Sequence, residues 1–187
     1  MALRLIVVLF FASAVSAAGA AIAPQCGVNP EVPVKRVFAK VNYNDTWREY
    51  RSIDNVPELD LDGGISAQLW EDTDGSLLIR MVEPGEDFWT YTHYCFAKSG
   101  KLARVEFELH TACGWVYRLE APIESGAIRD ASSRFFDTKT KKVIPKPEQA
   151  DDFSDALKPA LYLQIKQLPF SKLLATASKS SLPRTTK

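Results

Sequence analysis

The stretch FWTYTHYCFAKSGKLARVEFELHTACGW, from Phe88 to Trp115, gathers both histidines of the chain and two of its three cysteines. Imidazole and thiol side chains at such density suggest a metal centre or a nucleophile paired with a base. The spacing argues against both. There is no HExxH and no Cys-x-x-Cys, and neither Gly-x-Ser-x-Gly nor a phosphate loop occurs. Serine, histidine and aspartate are present, but no local signature links them.

A hairpin closed by Ala97-Lys98-Ser99-Gly100-Lys101 fixes which side chains share a face. A three-residue loop with Gly100 as the left-handed bulge residue pairs Ala97 with Lys101, Cys95 with Ala103 and His93 with Val105. It also pairs Tyr91 with Phe107 and Trp89 with Leu109. This register segregates an apolar face (Trp89, Tyr91, His93, Cys95, Val105, Phe107, Leu109) from a polar one that carries Glu106, Glu108 and His110. A shift by one residue, with His93 against Glu106 and Cys95 against Arg104, mixes the faces. The hydrophobic pattern therefore predicts a buried His93 and a surface His110 beside Glu108. Two histidines on opposite faces cannot share one ion, so no metal and no cofactor is predicted. The aromatic and imidazole residues Trp89, Tyr91, His93 and Trp115 are the candidate ligand-binding set, and no catalytic residue is assigned.

Other acidic constellations are weaker. Asp72-Thr73-Asp74-Gly75-Ser76 resembles a calcium loop, but with Gly75 as the loop glycine the first and last ligand positions fall on Trp70 and Met81. It reads as a hairpin turn. Glu106 and Glu108 share one strand face, whereas glycosidase carboxylates face each other across a cleft.

These residues must be held by strands. Glycine turns recur at Asp74-Gly75-Ser76-Leu77, Ser99-Gly100-Lys101-Leu102 and Ser125-Gly126-Ala127-Ile128, their glycines 25 and 26 residues apart. Each is expected to take positive φ before a new strand. The odd-numbered apolar pattern continues through Cys113, Trp115, Tyr117 and Leu119. Leu102 to Glu120 thus reads as one bent strand or as two strands with a tight turn at Cys113-Gly114, and Glu83 to Asp87 as the matching break in its partner. A further strand pair flanks Asp137 to Lys142. Upstream, Val37, Ala39, Val41 and Tyr43 alternate with Arg36, Lys40 and Asn42 as a half-buried strand. Thr46 and Glu49 match a capping box, predicting a short helix that buries Trp47 and Tyr50. Phe153, Leu157, Leu161, Ile165 and Leu168 recur at three and four, predicting an amphipathic helix kinked at Pro159, with one more turn over SKLLA.

The fold class is therefore mainly β (α+β): an antiparallel up-and-down meander of six to eight strands with a C-terminal amphipathic helix. The first 20 residues, with Arg4 ahead of an apolar run and small residues after it, read as a secretory signal peptide. Residues 21–33 form an extended proline-bearing lead-in, 34–175 one β-rich domain and 176–187 a disordered basic tail. Cys26, Cys95 and Cys113 are the disulfide candidates in an oxidising compartment. Cys95 and Cys113 lie too far apart along the sheet to bridge, so Cys26 is expected to pair with one of them.

With 23 basic and 23 acidic residues the formal net charge is zero. That excludes a global attraction to nucleic acid or anionic membrane, and no membrane span remains after signal cleavage. Asn44-Asp45-Thr46 is a glycosylation sequon in a eukaryotic secretory pathway. The sequence thus predicts a secreted or periplasmic, non-catalytic module that binds an envelope or extracellular ligand or protein. The alternative is an exported hydrolase using His93 with a nearby carboxylate and Cys95 or a serine.

Overall fold

The computed structural model describes residues 33–177. The predicted signal peptide, Cys26 and most of the lead-in, as well as the tail from residue 178, lie outside the described residues. Ten strands follow in chain order: β1 (Arg36–Lys40), β2 (Arg48–Tyr50), β3 (Ile65–Glu71), β4 (Leu77–Pro84), β5 (Phe88–Phe96), β6 (Leu102–Thr111), β7 (Trp115–Glu124), β8 (Ala127–Ile128), β9 (Ser132–Asp137) and β10 (Val143–Ile144). They form one antiparallel sheet of spatial order β10-β9-β7-β6-β5-β4-β3-β1-β2, with β8 beside β7. The expected meander is present, with more strands than expected. One short helix, α1 (Ser171–Ala177), lies near the C-terminus. Among the described residues no helix is long and apolar enough to cross a membrane.

The glycine turns behave as the sequence predicts. Gly75, Gly100 and Gly126 all have positive φ. The β3–β4 and β5–β6 turns are copies of one another. In each, the amide of the glycine donates to the carbonyl three residues back, and the loop closes between Asp72 and Ser76 or between Ala97 and Lys101. Of the two readings of the segment from Leu102 to Glu120, the tight turn is realised: β6 ends at Thr111, Gly114 takes φ +88°, and β7 starts at Trp115. The strand pair around Asp137 also forms, as β9 and β10. The Asp137 carboxylate accepts from the amides of Lys139 and Thr140 and holds that turn.

Three expected elements differ. The first strand stops at Lys40, and Tyr43 is 71% exposed rather than buried. The capping-box helix is instead β2, paired with β1. Its Glu49 carboxylate takes two hydrogen bonds from the Arg36 guanidinium of the neighbouring strand, at 2.8 and 2.7 Å, rather than capping a helix. The long helix over residues 153–168 is absent. A 3₁₀ turn at Glu148–Asp151 precedes that stretch, which itself holds turns, an extended run and a second 3₁₀ turn at Ile165–Gln167. Pro159 removes one helical amide and disfavours α backbone at Lys158, while Asp151, Asp152, Ser154 and Asp155 compete for local amides.

The segment wraps the sheet instead. The Leu102 amide donates to the Leu163 carbonyl and the Ile165 amide to the Gly100 carbonyl, tying it to the β5–β6 hairpin. Phe170 then seats against Phe38 at 4.7 Å and Trp47 at 4.9 Å between ring centroids. Two core clusters result on this inner face of the sheet. One is built around Phe38, Ile79, Tyr94, Phe96, Val105, Leu168 and Phe170. The other is built around Phe107, Leu109, Trp115 and Ala150, with Phe153 packed against it.

Candidate functional site

The hairpin that carries the candidate residues has a different register from the one its hydrophobic pattern favours. Its turn closes as expected, Ala97 against Lys101, and Phe96 faces Leu102. Cys95 then faces Arg104, leaving Ala103 as an extra residue, a β-bulge. One unpaired residue moves every side chain beyond it to the other face. His93 opposes Glu106, Tyr91 opposes Glu108 and Trp89 opposes His110. The expected burial of His93 on the apolar face beside Val105 and Phe107 is thus overturned.

Trp89, Tyr91, His93 and Cys95 share the outer face with Arg104, Glu106, Glu108 and His110. The separation of the two histidines is overturned with it. Trp89, 43% exposed, stacks on His110 at 6.0 Å, and Tyr91 meets the same imidazole edge-on at 5.2 Å. Arg80 of β4 lies over the Tyr91 ring at 4.7 Å and directly opposite His93. Burial and the Arg80 charge hold the His93 imidazole below its ordinary pKa, against the pull of Glu108. Glu108 lies 2.8 Å from the His110 Nε2, as the sequence predicts, and 2.6 Å from the Arg118 guanidinium. Cys95 is disulfide-bonded, whereas Cys113 is free and exposed at the β6–β7 turn. A bonded sulfur supplies no thiolate for the nucleophilic role weighed for Cys95.

Trp115 does not join this group. It is buried on the inner face, edge-on to Phe135 at 5.6 Å and to Phe153 at 5.4 Å. The four candidates are therefore split: Trp89, Tyr91 and His93 outside, Trp115 in the core.

The same bulge has a consequence on the inner face. It turns Thr90, Thr92 and Tyr94 inward in place of Trp89, Tyr91 and His93. Thr90 and Thr92 are buried, opposite Leu109 and Phe107. Small β-branched side chains leave volume that the rings would have filled. The wrapped C-terminal segment bridges this space: Ala150 and Phe153 anchor one end, Leu168 and Phe170 the other. The Tyr94 hydroxyl donates to the Ala160 carbonyl at 2.8 Å, and Tyr162 packs against the Tyr94 ring at 5.5 Å.

Between sheet and segment lies an open-mouthed cavity of about 490 Å³. Its sheet side is Ile65, Met81, Glu83, Phe88, Thr90, Thr92, Tyr94 and Phe107, and its other side is the segment from Asp152 to Tyr162. Apolar walls with a few hydroxyls, three carboxylates (Glu83, Asp152, Asp155) and one ammonium (Lys158) combine the apolar body and few polar groups of small-molecule sites, which commonly span ~300–1,000 Å³. Partial desolvation by these walls raises the Glu83 carboxyl pKa, with Lys40 opposing. Burial and the Glu83 charge also raise the Tyr162 phenol, and burial raises that of Tyr94, so both phenols stay neutral donors. Sequence reasoning missed this site because it follows from one unpaired residue. Its one available signal was the pair Thr90 and Thr92 alternating with aromatics in a strand whose partner is unambiguous.

No protein-family model, curated protein or solved structure matches this chain.

Proposed function

We propose that this is an exported binding protein whose ligand site is the cavity between the sheet and the segment over residues 152–162. The observation that carries the reading is the cavity itself. Its volume of about 490 Å³, its aromatic walls and its inward hydroxyls suit one small, largely apolar ligand. The secretory reading of the first 20 residues and the bonded state of Cys95 support the exported part. With Cys113 free and three cysteines in the chain, Cys26 is the proposed partner of Cys95.

The test is titration with the neutral, environment-sensitive dye N-phenyl-1-naphthylamine. Saturable one-to-one enhancement is expected, abolished by Ala156→Trp, which fills the cavity from the segment side. Absence of saturable enhancement, or enhancement indifferent to A156W in a variant that still melts cooperatively, contradicts the assignment.

A further inference from the structure

The charges around the cavity are uneven. Its lining includes three carboxylates, Glu83 on β4 and Asp152 and Asp155 on the wrapped segment, against one ammonium, Lys158. Resting on the cavity reading above, we infer that the ligand is a cationic amphiphile: an apolar, aromatic or alkyl body carrying a primary or substituted ammonium group. The body enters between Phe88, Phe107 and Phe153, and the ammonium stays at the mouth beside Glu83.

Three observations favour this class. Glu83 lines the cavity at its solvent-exposed rim, with no ion pair to a cation among the described residues. Lys40, the base that acts on it electrostatically, donates its hydrogen bond to the Tyr43 carbonyl and lies over the Tyr43 ring. Lys158 stands 3.8 Å from Asp155, so the one basic group of the lining faces an acid of its own segment. A carboxylate raised in pKa by apolar walls gains more from an incoming cation than a fully hydrated one does. The aromatic walls add attraction for an ammonium passing over a ring face. An anionic headgroup would meet the excess negative charge of Glu83 and Asp152 and be repelled.

The class is tested with three soluble ligands that share one apolar body: 4-phenylbutylamine, 4-phenylbutanol and 4-phenylbutyrate. Each is titrated calorimetrically into the mature protein at neutral pH and low salt. The amine is expected to bind about five- to tenfold more tightly than the alcohol, the size of one ordinary net hydrogen bond, as suits a partly solvated carboxylate. The carboxylate should bind most weakly. E83Q and, separately, D155N should each reduce the preference for amine over alcohol. Two results overturn the inference and are distinguishable. If amine and alcohol bind alike, or the carboxylate is preferred, the ligand class is wrong while the cavity reading stands. If none of the three binds, the cavity reading falls and the inference with it.

Discussion

Two titratable side chains on opposite faces of the same sheet carry opposite pH signatures. Glu83 has a raised pKa in the folded protein, so the folded state holds its proton more tightly than the unfolded chain does. Its contribution to stability is complete below its ordinary value of 4.5 and is lost as pH rises through the folded value. Glu83→Gln should therefore raise the melting temperature at neutral pH and lose this advantage near pH 4, which thermal scans across pH would show. His93 has a lowered pKa, so the unfolded chain binds the proton better. Its contribution is present above the ordinary value of 6.5 and is lost as pH falls through that value toward the folded one. His93→Gln should flatten the stability profile on that acid side. A steeper profile in H93Q would place the imidazole in a setting that favours its charge, contrary to the Arg80 contact.

At the scale of elements, the sequence was legible wherever a local rule had no competitor. The glycine turns at Gly75 and Gly100, the β9–β10 pair around Asp137 and the antiparallel order all follow from spacing and turn chemistry. The β5–β6 register did not, because FWTYTHYCF is amphipathic whichever way it is turned. Either face offers aromatic rings, and the bulge at Ala103 decides between them without a glycine or proline to announce it. The segment after Pro147 misled for another reason: helical spacing of Phe153, Leu157, Leu161 and Ile165 describes burial, and a wrap of turns and extended chain partly buries Phe153, Leu157 and Ile165 without a helix while leaving Leu161 exposed.

Two substitutions test these elements. Gly100→Ala would place a Cβ at ordinary contact distance from Ile165, 3.7 Å, so only the positive φ opposes it. A loss of about 1–2 kcal/mol is expected in chemical denaturation. Thr90→Ile adds apolar volume to the cavity wall. It should stabilise the ligand-free protein by about 0.5–2 kcal/mol and weaken dye binding, because filling and binding compete for the same space. A T90I variant that binds the dye undiminished would move the site elsewhere.

For the whole molecule, one sheet is closed on its inner face by a segment that returns along it and is pinned at two ends. Phe170, 1% exposed between Phe38 and Trp47, is the far pin. Phe170→Ala should cost about 3–5 kcal/mol and release the segment that walls the cavity, so stability and dye affinity fall together. The redox state of the molecule has an equally direct readout. Alkylation of the native protein should label one thiol, Cys113, and three after reduction, with Cys26 and Cys95 recovered in one bridged peptide.

The proposed ligand site is the inner cavity, and not the exposed Trp89–Tyr91–His110 face. Backbone amide chemical shifts recorded during titration with 4-phenylbutylamine distinguish the two. Shifts are expected at Thr90, Thr92 and Phe107 and along residues 152–162, saturating together. Shifts concentrated at Trp89, Tyr91, Glu108 and His110, with the cavity amides unmoved, would contradict it.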